Sequence, residues 1–159
     1  MLREKEVVYN SVNMPLCRPR VRVLIAEDYQ AMRERVVSVL ANECDVIGAV
    51  ADGQSLVEAA CTLHPDLVVV DVSMPIMGGI AAANKLRELG STARIVFLTV
   101  HEDPDCIRAC LAAGGLGYVI KSRLAGDLLT AIDNAMAGRP FLSPCLAPCY
   151  PISEPAGNS

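Results

Sequence analysis

The chain has 159 residues, an apolar content of 52% and a net charge of −4, a length that fits one ordinary domain of roughly 100–200 residues. The weakly acidic balance offers no basic stripe for nucleic acid, and no run reaches the ~18 apolar residues of a membrane span. Aromatics are 4% and tryptophan is absent, so the core must be aliphatic, as in parallel strands buried on both faces.

Residues 1–20 mix charges throughout and lack the apolar stretch of a signal peptide. They read as a flexible extension, with Met14-Pro15 an alternative start and Arg18, Arg20 and Arg22 a solvated basic lead-in. From Val21 short apolar runs alternate with amphipathic stretches. Val21 to Ala26 reads as a first strand, and Met32, Val36, Val39 and Leu40 share one face of a first helix. Asp45 to Val50 reads as a second strand, followed by a helix with Leu56, Ala59, Ala60 and Leu63 inward. His64, before Pro65, is expected to be exposed and inert. Leu67 to Val70 is the cleanest buried run. Met74-Pro75 then forces extended backbone, Gly78-Gly79 loosens the loop, and a third helix runs from about Ile80 to Leu89, ending at Gly90. Ile95 to Leu98 is a fourth strand. Asp103-Pro104 supplies a cap and a first helical residue for a fourth helix, with Ile107, Cys110 and Leu111 inward. Gly117 to Ile120 is a fifth strand. Ser122 is expected to cap a fifth helix carrying Leu124, Leu128, Ile132 and Met136. Residues 139–159 are rich in Pro and nearly uncharged, and read as a disordered tail. The single domain is therefore expected over residues 21–138.

Strands alternating with helices imply an α/β doubly wound parallel sheet with helices on both faces, flavodoxin-like with five strands in the order 2-1-3-4-5. Seven cysteines, an odd number, lie mostly in periodic segments and read as reduced thiols of a cytoplasmic protein. No C-x-x-C pair supports a metal site among them, although Cys106 and Cys110 would share a helix face and Cys145 and Cys149 lie in the tail.

The chemistry lies directly after the strands. Glu27-Asp28 follows the first, Asp71 the third, Thr99 the fourth and Lys121 the fifth, while only Ala51 follows the second. In open α/β sheets sites form beyond the carboxyl ends of the strands, at the switch point of the topology. The three acids would meet there, with Thr99 and Lys121 opposite. Two like charges 4 Å apart cost about 4 kcal/mol at an effective dielectric of 20. Lys121 offsets part of that, and a hard divalent cation such as Mg²⁺ suits a few carboxylates that must also admit phosphate oxygens.

The ordered set Glu27-Asp28, Asp71-Val72-Ser73-Met74-Pro75-Ile76-Met77-Gly78-Gly79, Leu98-Thr99 and Tyr118-Val119-Ile120-Lys121 resembles the receiver domain of two-component response regulators, over roughly Val21 to Gly138. The resemblance implies that Asp71 accepts a phosphoryl group from a sensor histidine kinase acting in trans. It implies that Glu27, Asp28, Asp71 and the backbone carbonyl of Ser73 hold Mg²⁺, that Lys121 pairs with the phosphoryl oxygens, and that Thr99 hydrogen-bonds to them. Thr99 and Tyr118 would form the switch, Tyr118 filling space that Thr99 vacates. Val100 and His101 occupy positions that tune dephosphorylation in the family. Val100 is bulkier than the Ala or Gly common there, so the acyl phosphate is expected to decay more slowly than with Ala.

The leading expectation is thus a stand-alone signalling switch that catalyses only its own phosphorylation and dephosphorylation. Its downstream partner is a protein, it contacts neither nucleic acid nor membrane directly, and a homodimer on phosphorylation is one implied assembly. Lys121 is followed by Ser122 rather than Pro, and Gly138 to Pro144 is similar to the linker of regulators with a helix-turn-helix output. The alternative is therefore a shortened transcription regulator without its DNA-binding domain, acting by dimerising with full-length relatives. An aspartate-based phosphatase would want Asp-x-Asp after the first strand, and an FMN protein a Ser/Thr-rich loop there. Glu27-Asp28-Tyr29 supplies neither.

Overall fold

The computed structural model describes residues 20–144. Residues 1–19 of the expected extension, with Cys17, and the end of the tail, with Cys145 and Cys149, lie outside the described residues. Strands and helices alternate: β1 (Arg22–Ala26), α1 (Gln30–Leu40), β2 (Asp45–Val50), α2 (Gly53–Leu63), β3 (Leu67–Asp71), α3 (Gly79–Glu88), β4 (Arg94–Thr99), α4 (Pro104–Ala112), β5 (Gly115–Ile120), a 3₁₀ turn (Lys121–Arg123), α5 (Leu124–Met136) and β6 (Phe141–Leu142).

All strand pairs are parallel, in the order β2-β1-β3-β4-β5-β6. β1 and β3 are neighbours in register, Ala26 beside Val70, which sets the chain after β1 next to the end of β3. Strand side chains alternate between two aliphatic layers. Leu24, Val68, Val70, Phe97 and Tyr118 pack against α2, α3 and α4. Val23, Ile25, Val69, Val96, Leu98 and Val119 pack against α1 and α5. β3 is buried along its whole length, as its unbroken apolar run requires.

The helices form where their signals lie. Asp52 accepts from Ser55 N–H at 2.8 Å to cap α2, and Asp103 accepts from Cys106 N–H at 2.8 Å to cap α4, with Pro104 in the first turn. The expected cap at Ser122 does not form. Residues 121–123 make a 3₁₀ turn, and α5 begins behind Arg123 without a side-chain cap.

The sheet departs from the expected five strands at its far edge. Phe141 and Leu142, within the segment read as disordered, pair with Gly117 and Tyr118 as β6. Ser143 behind them is fully buried. Its N–H donates to the Tyr118 carbonyl at 3.0 Å, and its Oγ accepts from Ile120 N–H at 3.0 Å. β6 thereby satisfies backbone groups that an edge strand leaves open. No helix among the described residues is long and apolar enough to cross a membrane.

Candidate functional site

Each buried strand delivers a polar residue at its carboxyl end. Glu27, directly after β1, keeps its N–H in the ladder through Val50 O at 3.0 Å and is fully buried. Asp71 closes β3, also buried. Lys121 opens the turn after β5 and reaches both. Its Nζ lies 2.9 Å from Glu27 Oε1 and 3.0 Å from Asp71 Oδ2. The oxygens of Glu27, exposed Asp28 and Asp71 lie within 4.8 Å of one another. The structure thus brings together the three acids and the lysine marked in the sequence.

Burial works against the Lys121 charge, yet the Glu27 and Asp71 carboxylates beside it hold its pKa above the usual lysine value. Burial pushes the Glu27 carboxyl above its usual value, against the pull of Lys121 and of the Tyr29 N–H, which donates to Oε2 at 3.1 Å. Glu27 Oε1 is close to the ammonium but off the direction of a hydrogen bond, so this buried oxygen has charge attraction and no directed donor.

The loop after Asp71 is fixed by close backbone approach. Ser73 N–H donates to Asp71 Oδ1 at 3.2 Å. A Cβ on Gly79 would lie 2.2 Å from the Asp71 carbonyl oxygen, and one on Gly53 would lie 2.2 Å from the Met77 carbonyl oxygen. Gly79 therefore does not loosen this loop, as the sequence reading had it. It lets α3 start against Asp71. Between these pins Ile76 is exposed with φ +69°, a conformation that β-branched residues rarely adopt.

Across the site Thr99 is fully buried, and its Oγ1 accepts from His101 N–H at 2.9 Å. The His101 carbonyl accepts from the Tyr118 hydroxyl at 3.2 Å, and its ring Nε2 lies 3.2 Å from Ser73 Oγ. His101, expected only as a tuning position, is the junction of Ser73, Thr99 and Tyr118. Tyr118 is completely buried, and burial above all pushes its phenol well above the usual range. Val100 is 67% exposed at the rim of the site. His64 is exposed at the far end of α2 and belongs to no site residue's contacts.

Two residues missed in the sequence touch this framework. Arg33 donates from Nη1 to the Glu27 carbonyl at 2.8 Å, and Ser143 holds the backbone just before Lys121. A cation in the first turn of a helix was a visible signal for Arg33, since it opposes the helix dipole.

The donor set suits a divalent cation. Three carboxylates converge, one buried oxygen lacks a directed donor, and one ammonium leaves most of the negative charge uncancelled. All-oxygen donors match Mg²⁺.

A family model described as the response regulator receiver domain matches residues 23–133. The nitrate/nitrite response regulator protein NarL of Escherichia coli (strain K12) is 34% identical over 139 residues, covering 86% of this chain and 64% of that protein. The transcriptional regulatory protein PdtaR of Mycobacterium tuberculosis is 38% identical over 117 residues, covering 73% of this chain and 57% of that protein. The chain thus spans less than two thirds of the length of these relatives. The crystal structure of a two-component response regulator of the LuxR family from Aurantimonas sp. SI85-9A1 superposes with a TM-score of 0.77 at 30% identity, over 81% of this chain and 94% of that one.

Proposed function

The chain belongs to the response regulator receiver domain family, and we propose that within phosphorylation-dependent signalling it is a switch whose acceptor is Asp71. The observation that carries this reading is the Lys121 ammonium shared between Asp71 Oδ2 and Glu27 Oε1 at the end of the sheet. A phosphohistidine of a sensor histidine kinase in trans is the donor. An Asp71 oxygen forms the new O–P bond, the N–P bond of the donor breaks, and the imidazole leaves. Such a transfer needs positioning and charge neutralisation more than covalent help.

Glu27, Asp28, Asp71 and the Ser73 carbonyl would hold Mg²⁺, which when bound supplies positive charge for the incoming phosphoryl oxygens. Lys121 shifts part of its pairing from Asp71 to those oxygens. The Ser73 N–H orients the acceptor carboxylate. Thr99 turns its hydroxyl from the His101 N–H toward the phosphoryl group, and the change passes through His101 to Tyr118. The reaction is the protein's own modification and its reversal, and the altered surface is read by another protein. Val100 and His101 stand at the rim and set the lifetime of the acyl phosphate. The longer relative PdtaR is named as a transcriptional regulatory protein, which favours a second reading in which this receiver works by dimerising with full-length relatives.

The test is intact mass after incubation with acetyl phosphate and Mg²⁺. Wild type should gain one phosphoryl group, dependent on Mg²⁺, and Asp71→Asn should gain none; decay of the adduct should be faster in Val100→Ala. An adduct that persists in Asp71→Asn would place the acceptor elsewhere. Failure of wild type with both acetyl phosphate and a histidine-kinase donor would remove the reading.

A further inference from the structure

We propose that Arg33 is a positioning residue for the cation site: its guanidinium folds back from the first turn of α1, holds the Glu27–Asp28 backbone, and so sets where the Asp28 carboxylate stands. The inference rests on the reading that the three carboxylates hold a divalent cation.

Helix side chains lean toward the N-terminus of their helix, so the stem of Arg33 runs back over Tyr29 and Asp28. Nη1 donates to the Glu27 carbonyl at 2.8 Å and makes a long contact of 3.5 Å with the Asp28 carbonyl. The same residue's N–H closes the first turn on the Tyr29 carbonyl at 2.9 Å. Side chain and backbone of Arg33 therefore grip three consecutive residues, two of which carry candidate cation ligands.

The position is costly for a cation. α1 has no acid in its first turn, and Tyr29 offers no side-chain cap, so nothing there offsets a positive charge at the positive end of the helix dipole. The carbonyls of Glu27 and Asp28 are what make the guanidinium favourable there. Among the described residues no ion pair of Arg33 competes for it.

The three ligands are not held alike. Glu27 is fixed by Val50 O, the Tyr29 N–H, Lys121 and Arg33; Asp71 by β3, Ser73 and Lys121. Asp28 is exposed, and the grip of Arg33 on its loop is the tether next to it. Groups that orient ligands from behind typically change metal affinity 10–100-fold when removed.

Charge alone points the other way. Removing a positive charge from the chain that carries the ligands makes the site more negative and strengthens cation binding. The two roles of Arg33 therefore differ in sign. Mn²⁺ serves as the probe, its free ion read by electron paramagnetic resonance, with wild type, Arg33→Met and Arg33→Lys titrated after their melting curves confirm folding. Amide exchange over residues 27–30 is followed without metal. Arg33→Met should bind Mn²⁺ roughly tenfold more weakly and exchange faster at 27–30, with Arg33→Lys recovering part of both. Unchanged or tighter binding in Arg33→Met would overturn the inference while leaving the site reading intact. No Mn²⁺ binding by wild type would overturn the cation-site reading and this inference together.

Discussion

Burial is the first influence on the Glu27 carboxyl, and its protonation has a defined sign. Its pKa in the folded protein is raised, first by burial, despite Lys121 and the Tyr29 N–H. The folded state then binds the proton more tightly than the unfolded chain. Its contribution to stability is greatest in acid and falls as pH rises from the ordinary carboxylate value through the raised one. Lys121 acts at the other end of the scale. Burial disfavours its charge, but Glu27 and Asp71 raise its pKa, so its stabilisation is present at neutral pH and is lost only above the usual lysine range. Glu27→Gln should therefore be more stable than wild type at pH 7 in metal-free urea melts, with the gain shrinking toward pH 4, while Mg²⁺-dependent phosphorylation weakens. A variant less stable at pH 7 than at pH 4 relative to wild type would show that the ionised Glu27–Lys121 pair is net stabilising. Glu27, Asp28, Asp71, Thr99 and Lys121 were legible in the sequence because each polar residue ends an apolar run abruptly. Arg33 and Ser143 act on backbone carbonyls and amides, which sequence spacing does not mark; only the place of Arg33 in the first turn of α1, against the helix dipole, was a signal in the sequence.

At the scale of elements, the alternation of strands and helices and the order of the first five strands followed from hydrophobic patterning. β6 did not, because a strand of two residues, Phe141 and Leu142, is too short to show a period, and the flanking Pro140 and Pro144 mark edges and breaks. Its partner on the sheet selects it. Gly117 and Tyr118 present an open edge, and Ser143 completes the pairing with a side-chain oxygen where a third strand residue would stand. Ser143→Ala strands the Ile120 N–H in a buried position. The expected loss is about 1–3 kcal/mol in chemical denaturation, with exchange of the Ile120 amide accelerated. Stability equal to wild type would show that water replaces the hydroxyl. Gly79 makes the same point about glycine: the sequence marks a loop, but only the 2.2 Å approach to the Asp71 carbonyl shows why no side chain fits there.

Over the whole molecule these contacts form one continuous path. Asp71 meets Lys121 at the end of β5; Ser73 meets His101; His101 meets Thr99 and Tyr118; and the Tyr118 and Ile120 backbones are held by Ser143 beyond β6. On the proposed reading, a phosphoryl group on Asp71 would bring about −1.5 to −2 charge and new acceptor oxygens to the first of these residues. Moving a two-state equilibrium from 1:99 to 99:1 requires about 5.5 kcal/mol of differential stabilisation, which a few charge-assisted bonds from Lys121 and Thr99 approach. The change should emerge on the side of the sheet formed by α4, β5 and β6, far from β2, whose strand end contributes no site residue. The most direct measurement is hydrogen exchange by mass spectrometry on wild type and Asp71→Asn, each with Mg²⁺ and with or without acetyl phosphate. Altered exchange in residues 99–106, 115–121 and 141–144 of wild type alone, with β2 unchanged, is the expected result. Full phosphorylation of Asp71 with no change in those segments would contradict the switch.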